Sequence, residues 1–499
     1  MTSQNSPRLR STRPLRVALA GAALLFVSFY AFIAARRAGY PFELEWIEGG
    51  SLAQVRRILH GQPLYVAPSL EFVPFNYTPL YFYVSSWAAR AWGDGFLSLR
   101  LVSILASVAC MVLLFTYVLR ETRSRFAALL STGLWCATYR IGGGWLDVAR
   151  ADSLHLALLL AGFWVLRFDG SRYRAPLVAG VLLSLAFLTK QSALVVCAPM
   201  LALLLATQRA RFAILAGTLA LLVVGGTIAL DASSHGWFSY YVFKVPGGHK
   251  IDPSLIPLFW SRDLLGPLAI AILVGFAGLA IDPDPESRTD RGLALAVAAG
   301  LVLCSWSLRV FPGGYDNVLL PAHLAIALLF GLGWGALERA TAALKPPASK
   351  LAAWIPVICM LQFAVLLYNP MRLVPRAEDV AAGRDLVEKL RRSAGTLLVS
   401  SHEYLLPMAG KPEHFHVMPF MDVVKSGNGT VERRLLEDLR DALRTQKYSL
   451  IVLDGRDWLS DEVEPYYTNQ WAIFDQPRVF WPMTGMKTRP EFVYVPKPL

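Results

Sequence analysis

The sequence predicts an α-helical polytopic membrane protein that ends in a small α/β domain, and three observations lead there. Long apolar segments recur between residues 17 and 368. Arginines gather in the short loops on one side of those segments, while the outward loops also carry basic residues, among them Arg36, Arg56, Arg140 and Lys250, which weakens the bias. Residues 369–499 change character, with amphipathic helical patterns alternating with short β-rich runs. Composition agrees: of 499 residues, 55% are hydrophobic and only 17% charged, and the mean hydropathy is +0.44. An ordinary soluble domain is less apolar.

Residues 1–16 form a basic leader with Arg8, Arg10, Arg13 and Arg16. Val17 to Ala35 then stays apolar for roughly the ~20 residues that a helix needs to cross a bilayer, and reads as a retained anchor rather than a cleaved signal. A first outer loop follows over residues 36–98. Further apolar segments lie at Leu99–Leu119, Phe126–Trp145, Ser153–Leu166, Ala175–Leu188, Ser192–Ala206, Phe212–Ala232, Leu264–Ile281, Gly292–Ser307, Val318–Leu337 and Leu351–Tyr368. The expectation is about eleven spans. Arg120, Arg123, Arg125, Arg167, Arg172, Arg174, Arg209 and Arg211 place their loops on the cytoplasmic side. An odd number of spans then puts residues 369–499 outside the cytoplasm. That part should contain helices at Ala377–Arg392 and Val431–Thr445 and strands at Thr396–Ser400 and Leu450–Leu453.

Several function classes fall away. The pI near 9.5 and net charge of +12 come without a basic, aromatic-interleaved stripe on a soluble segment, which excludes nucleic acid and leaves membrane lipids as the partner for the charge. Cys110, Cys136, Cys197, Cys304 and Cys359 lie in apolar segments without metal-ligand spacing and read as buried thiols. No nucleotide-binding glycine fingerprint occurs in the C-terminal domain.

Four outward segments carry residue types suited to one site. The stretch YPFELEWIEGGSLAQVRRILHGQPLY places Glu43, Glu45 and Glu48 directly after the first span. In a helix Glu45 and Glu48 would share a face; the other reading is a solvated acidic turn before a helix from Gly49 to His60. In GGGWLDVARADSLHLAL, Asp147 and Asp152 suit hydroxyl or base orientation and Arg150 suits an anion, although Asp152 also suits a helix cap. In AFLTKQSALV, Lys190 and Gln191 interrupt an apolar hairpin. Lys190 there suits a phosphate, or simply snorkels to the interface. Finally, YYVFKVPGGHK and RVFPGGYDNVLLP contribute Lys244, His249, Tyr315 and Asn317 from irregular loops.

The order of these segments along one chain, together with YTPLYFYVSSW and RLVSILASV, resembles the GT-C class of membrane glycosyltransferases. The resemblance is to bacterial enzymes of the aminoarabinose-transferase and protein-mannosyltransferase type, and it runs through the spans up to Tyr368. The family's usual Asp-Glu pair in the first outer loop is Ile47-Glu48 here, and Thr78 stands where relatives commonly have a lysine. The resemblance implies a GT-C fold and an inverting glycosyltransferase at the outer membrane face, moving a hexosyl or pentosyl group. Its donor would be a polyprenyl phosphate sugar and its acceptor a cell-envelope glycan, lipid or protein. On that reading Glu48, or Glu45 in its place, takes the acceptor proton. Lys190, Arg150, Asp152, Asp147, Gln191, Tyr81, Lys244, His249, Tyr315 and Asn317 would bind donor and phosphate. Some relatives use a divalent metal and others do not; no cofactor or metal is predicted here. The bacterial inner membrane is the implied location. The competing class is a secondary transporter or lipid flippase, which would concentrate ionisable residues and broken helices near the bilayer midplane.

Overall fold

A computed structural model describes residues 7–248, 250–281, 286–342, 354–427, 429–455 and 458–498. The chain opens with helix α1, Pro7–Ala38, and crosses the first outer loop through α2, Glu48–Leu59, and α3, Leu80–Trp92. There follow α4, Phe96–Thr122; α5, Arg125–Ala137; α6, Asp152–Phe168; α7, Arg174–Thr189; α8, Ala193–Thr207; and α9, Arg209–Ser233. Among the described residues six helical stretches are long and apolar enough to span a membrane: Arg13–Ala38, Phe96–Thr122, Arg209–Ser233, Leu255–Ile281, Arg291–Arg309 and Asp316–Thr341. A seventh is reached if the bent pair Ile355–Val365 and Pro370–Arg392 counts as one span, while α7 and α8 are shorter apolar helices.

All eleven expected segments contain helix, and the difference is one of length: α5, α6, α7 and α8 have 13, 17, 16 and 15 residues. Phe126–Trp145 does not continue as one helix: α5 ends at Ala137, and the turns that follow hold the exposed Arg140 and then Gly143 and Gly144 at φ of 73° and 75°, a left-handed conformation open to glycine. Ser153–Leu166 is helical, but α6 has only 17 residues. The last segment is helical over Ile355–Val365, and residues 351–353 lie outside the described ones.

The C-terminal domain matches its expected helix Ala377–Arg392, with a second at Thr430–Arg444. Its sheet has four strands: β1, Leu397–Val399; β2, Leu450–Leu453; β3, Tyr467–Ala472; and β4, Phe492–Pro496. Their order is β1-β2-β4-β3, with β1 and β2 parallel and the other pairs antiparallel.

One buried ion pair holds the loop after α1 in place. Arg100, near the start of α4, donates from Nε to Glu48 Oε1 at 2.9 Å and from Nη2 to Glu48 Oε2 at 2.6 Å, and both side chains are 0% exposed. The remaining guanidinium donors reach the carbonyls of Tyr40 at 2.5 Å and Phe42 at 2.6 Å. Glu48 also accepts the amides of Leu44 and Ala149, each at 2.6 Å. Burial would raise its carboxyl, and Arg100 outweighs that, holding it below the ordinary carboxylate range. The stretch from Tyr40 to Glu48 is thereby wrapped around one guanidinium.

The C-terminal domain docks on the same stretch. Thr484 donates its amide to Leu44 O at 2.9 Å and forms an isolated parallel bridge with Glu45. His416 Nε2 donates to Trp46 O at 3.0 Å. Arg56 pairs with Glu413 at 2.8 Å, and Asn76 donates to Asp422 at 3.1 Å. Gly49 is needed for this fit, because a Cβ there would lie 2.5 Å from Glu43 Oε1 and 2.6 Å from the Tyr404 ring.

At the centre of the contact His402 Nδ1 meets Glu43 Oε2 at 2.6 Å, and its Nε2 meets Asp454 Oδ2 at 3.1 Å. A ring that donates from both nitrogens is an imidazolium. Burial pulls His402 down, and the carboxylates of Asp454 and Glu43 outweigh it, pushing it up to about 10. Burial also pushes Glu43 up, to about 8, against the pull of His402.

Two predictions follow from these pairs. Arg100→Met should leave Glu48 buried and unpaired and destabilise the fold by about 3–5 kcal/mol, read as a lower thermal midpoint in lipid nanodiscs. An unchanged midpoint would show that the loop does not rely on the pair. The pH dependence of docking has a definite sign. Both shifts are upward, so stabilisation present at low pH is lost as pH rises, from 4.5 to about 8 for Glu43 and from 6.5 to about 10 for His402. Protease nicking at the domain junction should therefore rise from neutral to alkaline pH, and His402→Gln should flatten that profile.

Candidate active site

Between the helical bundle and the C-terminal domain lies a cavity of about 680 Å³, within the size range of ligand sites. The membrane part contributes Tyr77, Trp145, Arg150, Lys190, Gln191, Tyr315 and Asn317; the C-terminal domain contributes Ser401, Met418, Met421, Asp422, Asp454 and Trp458. Val195, Val242, Phe243, Leu308 and Phe311 add an apolar wall. Val242 and Phe243 lie in a π-helical turn, Tyr240–Lys244, a deviation frequent at functional sites.

Two cations stand on the wall. Lys190, where the chain turns between α7 and α8, donates from Nζ to Asp152 Oδ1 at 2.8 Å and is 12% exposed. Burial lowers the ammonium, and Asp152 more than compensates, so Lys190 is shifted upward and stays charged. Asp152 Oδ1 also accepts from Asn317 Nδ2 at 3.1 Å, so three of the segments singled out in the sequence meet at one oxygen. Neither the helix cap nor the snorkelling lysine is observed: α6 has Ala151 at its cap position without a side-chain cap bond, and Lys190 is turned inward onto Asp152. Gln191 is fixed by donating to the carbonyls of Asn76 at 3.1 Å and Val242 at 3.4 Å.

Arg150 is held more tightly. Its Nη1 donates to Glu45 Oε2 at 2.9 Å and its Nη2 to Tyr77 OH at 2.9 Å. Its guanidinium carbon lies 5.5 Å from the Tyr77 ring centre and 5.2 Å from that of Trp145, close enough for cation–π attraction. Tyr77 and Trp145 escaped the sequence reading; the signal for Tyr77 was its place immediately before Thr78-Pro79.

The three loop carboxylates have separate surroundings, and none is a solvated turn. Glu45 and Glu48 do not share a helical face, because α2 begins at Glu48. Glu48 has both oxygens engaged by Arg100, Leu44 and Ala149 and is not on the cavity wall. Glu45 lies directly behind that wall, bonded to Arg150 and flanked by Trp46 and Ile47, which line the cavity. Its Oε2 also accepts the Ile47 amide, whereas buried Oε1 has no hydrogen-bond partner among the described residues. Burial pushes the Glu45 carboxyl up to about 7, against Arg150.

Other expected site residues lie elsewhere. Asp147 is buried against Arg37 at 3.2 Å and accepts from Tyr139 OH at 2.6 Å, off the cavity wall. Tyr81 is fully buried against Ser103 and Leu99 O. Lys244 is 59% exposed and pairs with Glu432 at 3.3 Å. These three serve packing and domain contact, because each side chain is committed away from the cavity. His249 lies outside the described residues. Thr78 donates to Phe187 O at 2.8 Å inside the bundle. The described residues contain no group of three or more His, Cys, Asp and Glu side chains able to hold a metal ion.

Comparison with known proteins bears on the fold. Residues 76–233 match the family described as dolichyl-phosphate-mannose-protein mannosyltransferase. No curated protein sequence matches. Among solved structures, ArnT from Cupriavidus metallidurans bound to undecaprenyl phosphate superposes with a TM-score of 0.59 at 12% identity, over 96% of this chain and 97% of that one. The oligosaccharyltransferase AglB from Archaeoglobus fulgidus, in complex with an inhibitory peptide and a dolichol-phosphate, gives 0.50 at 10% identity, over 91% of this chain and 72% of its own. The arabinofuranosyltransferase AftD from Mycobacteria gives 0.50 at 17% identity, over 96% of this chain and 41% of its own. The chain is an integral membrane protein with the fold of the GT-C class of membrane glycosyltransferases.

Proposed function

We propose that the protein is an inverting glycosyltransferase that takes a hexose or pentose from a polyprenyl phosphate donor and moves it to a hydroxyl of a cell-envelope acceptor. The observation that carries the reading is the pair of cations, Arg150 and Lys190, on the wall of one cavity with the Glu45 carboxylate directly behind Arg150. In the transfer, the acceptor oxygen attacks C1 of the sugar from the face opposite the phosphate. The new C1–O bond forms as the C1–O bond to phosphate breaks, and polyprenyl phosphate leaves with the bonding pair. The acceptor proton passes to Glu45 Oε1, which is fully buried behind Trp46 and Ile47 and is reached when that wall parts around the acceptor; its carboxyl near 7 suits a base at neutral pH. Negative charge growing on the leaving phosphate is met by Lys190 and Arg150. The apolar wall of Val242, Phe243 and Leu308 suits the first isoprene units of the lipid.

In this reading Glu48 is a strut rather than the base, and the cavity opens to the outer face of the bacterial inner membrane with the N-terminus in the cytoplasm. Glycosyl transfer is favoured over transport because Glu45, Arg150, Asp152 and Lys190 converge beside a cavity partly walled by the C-terminal domain.

Native mass spectrometry of the gently solubilised wild type should reveal a retained polyprenyl phosphate or its sugar adduct, and Lys190→Ala should lose it. A retained small solute without polyprenyl lipid would support a transporter instead. With the donor known from its mass, Glu45→Gln should lower transfer at least ~100-fold, at the lower end of general-base effects, while keeping the lipid. The wild-type rate at low substrate should rise with pH through about 7 and level off, because the base must be deprotonated. A fully active Glu45→Gln protein would remove the base assignment.

A further inference from the structure

The two ends of the cavity differ in charge. Arg150 and Lys190 stand on the membrane side, whereas the C-terminal domain presents Asp422 and Asp454, with the exposed Lys425 also on the lining. Asp422 is engaged by Asn76. Asp454 is different: one oxygen, Oδ2, is held by His402, and Oδ1 is buried without a hydrogen-bond partner among the described residues. The chain reaches this point by topology. β1 and β2 run parallel with Val399 beside Val452, so Ser401 and His402 after β1 and Asp454 after β2 emerge together at the carboxyl ends of neighbouring strands, the usual place for a ligand crevice on a parallel pair.

Three further observations mark this end as built for a polar ligand. Thr488, only 6% exposed, lines the cavity with an Oγ1 that has no partner among the described residues. A buried polar atom in this condition on a cavity wall is free to bond a polar ligand. The half-buried Trp458 ring also lines the cavity, stacked on Phe420 at 5.9 Å with 11° between planes. Behind Asp454, His402 is anchored by Glu43, so the carboxylate is aimed by a chain of contacts running back to the first outer loop.

We propose that Asp454 binds a hydroxyl of a carbohydrate acceptor, with Trp458 as the ring platform and His402 and Glu43 as positioning residues. The proposal rests on the glycosyltransferase reading and narrows its acceptor to a sugar. A carboxylate oxygen accepts strongly from a hydroxyl, and an indole face covers the C–H face of a pyranose or furanose ring. The C-terminal domain thus completes the site, and its docking on Glu43 couples acceptor binding to the loop that bears Glu45.

The test uses the full chain in lipid nanodiscs free of glycoside detergent. Binding of a panel of methyl glycosides, covering hexoses, pentoses and amino sugars, is followed by saturation-transfer NMR, and retained polyprenyl lipid is measured in parallel by native mass spectrometry. At least one glycoside should bind the wild type. Asp454→Asn should weaken it about tenfold or more, as expected for losing a hydrogen bond to a charged group, and Asp454→Glu should restore part of the binding. His402→Gln should weaken it severalfold, with lipid retention unchanged in all three variants. No glycoside binding to the wild type, equal binding by Asp454→Asn, or loss of lipid together with glycoside in that variant would each overturn the proposal. Absence of polyprenyl lipid from the wild type would sink the donor reading, and the glycoside comparison would still decide the role of Asp454.

Discussion

The Arg100–Glu48 pair is the constraint on which the rest of the site depends. A guanidinium and a carboxylate without solvent contact are costly to bury, and they persist only when every donor and lone pair is used. Here the carbonyls of Tyr40 and Phe42 and the amides of Leu44 and Ala149 complete the set. Those same bonds fix the loop from Tyr40 to Glu48 against α4 and against the segment that carries Arg150. Glu43 and Glu45 project from that fixed stretch, the first toward His402 and the second toward Arg150. The distances at the cavity wall are therefore set by an ion pair that never touches the cavity.

This arrangement separates three carboxylates that look alike in sequence. Glu43 anchors a domain, Glu45 backs a cation, and Glu48 closes the buried pair. Spacing alone favoured Glu45 and Glu48 as partners on one helical face, but the start of α2 at Glu48 leaves Glu45 in irregular chain. Distant partners distinguish them, Arg100 for Glu48, Arg150 for Glu45 and His402 for Glu43, and no local pattern encodes such contacts.

Much else was legible. The apolar segments and the change of character after Tyr368 gave the fold class, because spans and amphipathic helices have strong periodic signals. The meeting of Arg150, Asp152, Lys190 and Asn317 was readable as four polar interruptions at the ends of apolar segments. Helix lengths were less so, since Phe126–Trp145 reads as one apolar run but its helix stops at Ala137, ahead of the exposed Arg140 and the left-handed Gly143 and Gly144. Tyr81 and Asp147 lie off the cavity because each is taken up by another element, Tyr81 by Leu99 and Ser103 of α4 and Asp147 by Arg37 of α1. His402 and Asp454 gave almost no signal, because each follows a short strand and becomes meaningful only once those strands pair.

The central claim is that one cavity receives a lipid phosphate between Lys190 and Arg150. An electron cryomicroscopy map of the protein purified with its native lipid tests it most directly. The account predicts phosphate density within hydrogen-bond reach of Lys190 Nζ, with the polyprenyl chain leaving along Val242, Phe243 and Leu308. A phosphate bound elsewhere, or a cavity filled by a water-soluble solute with no lipid tail, would contradict it.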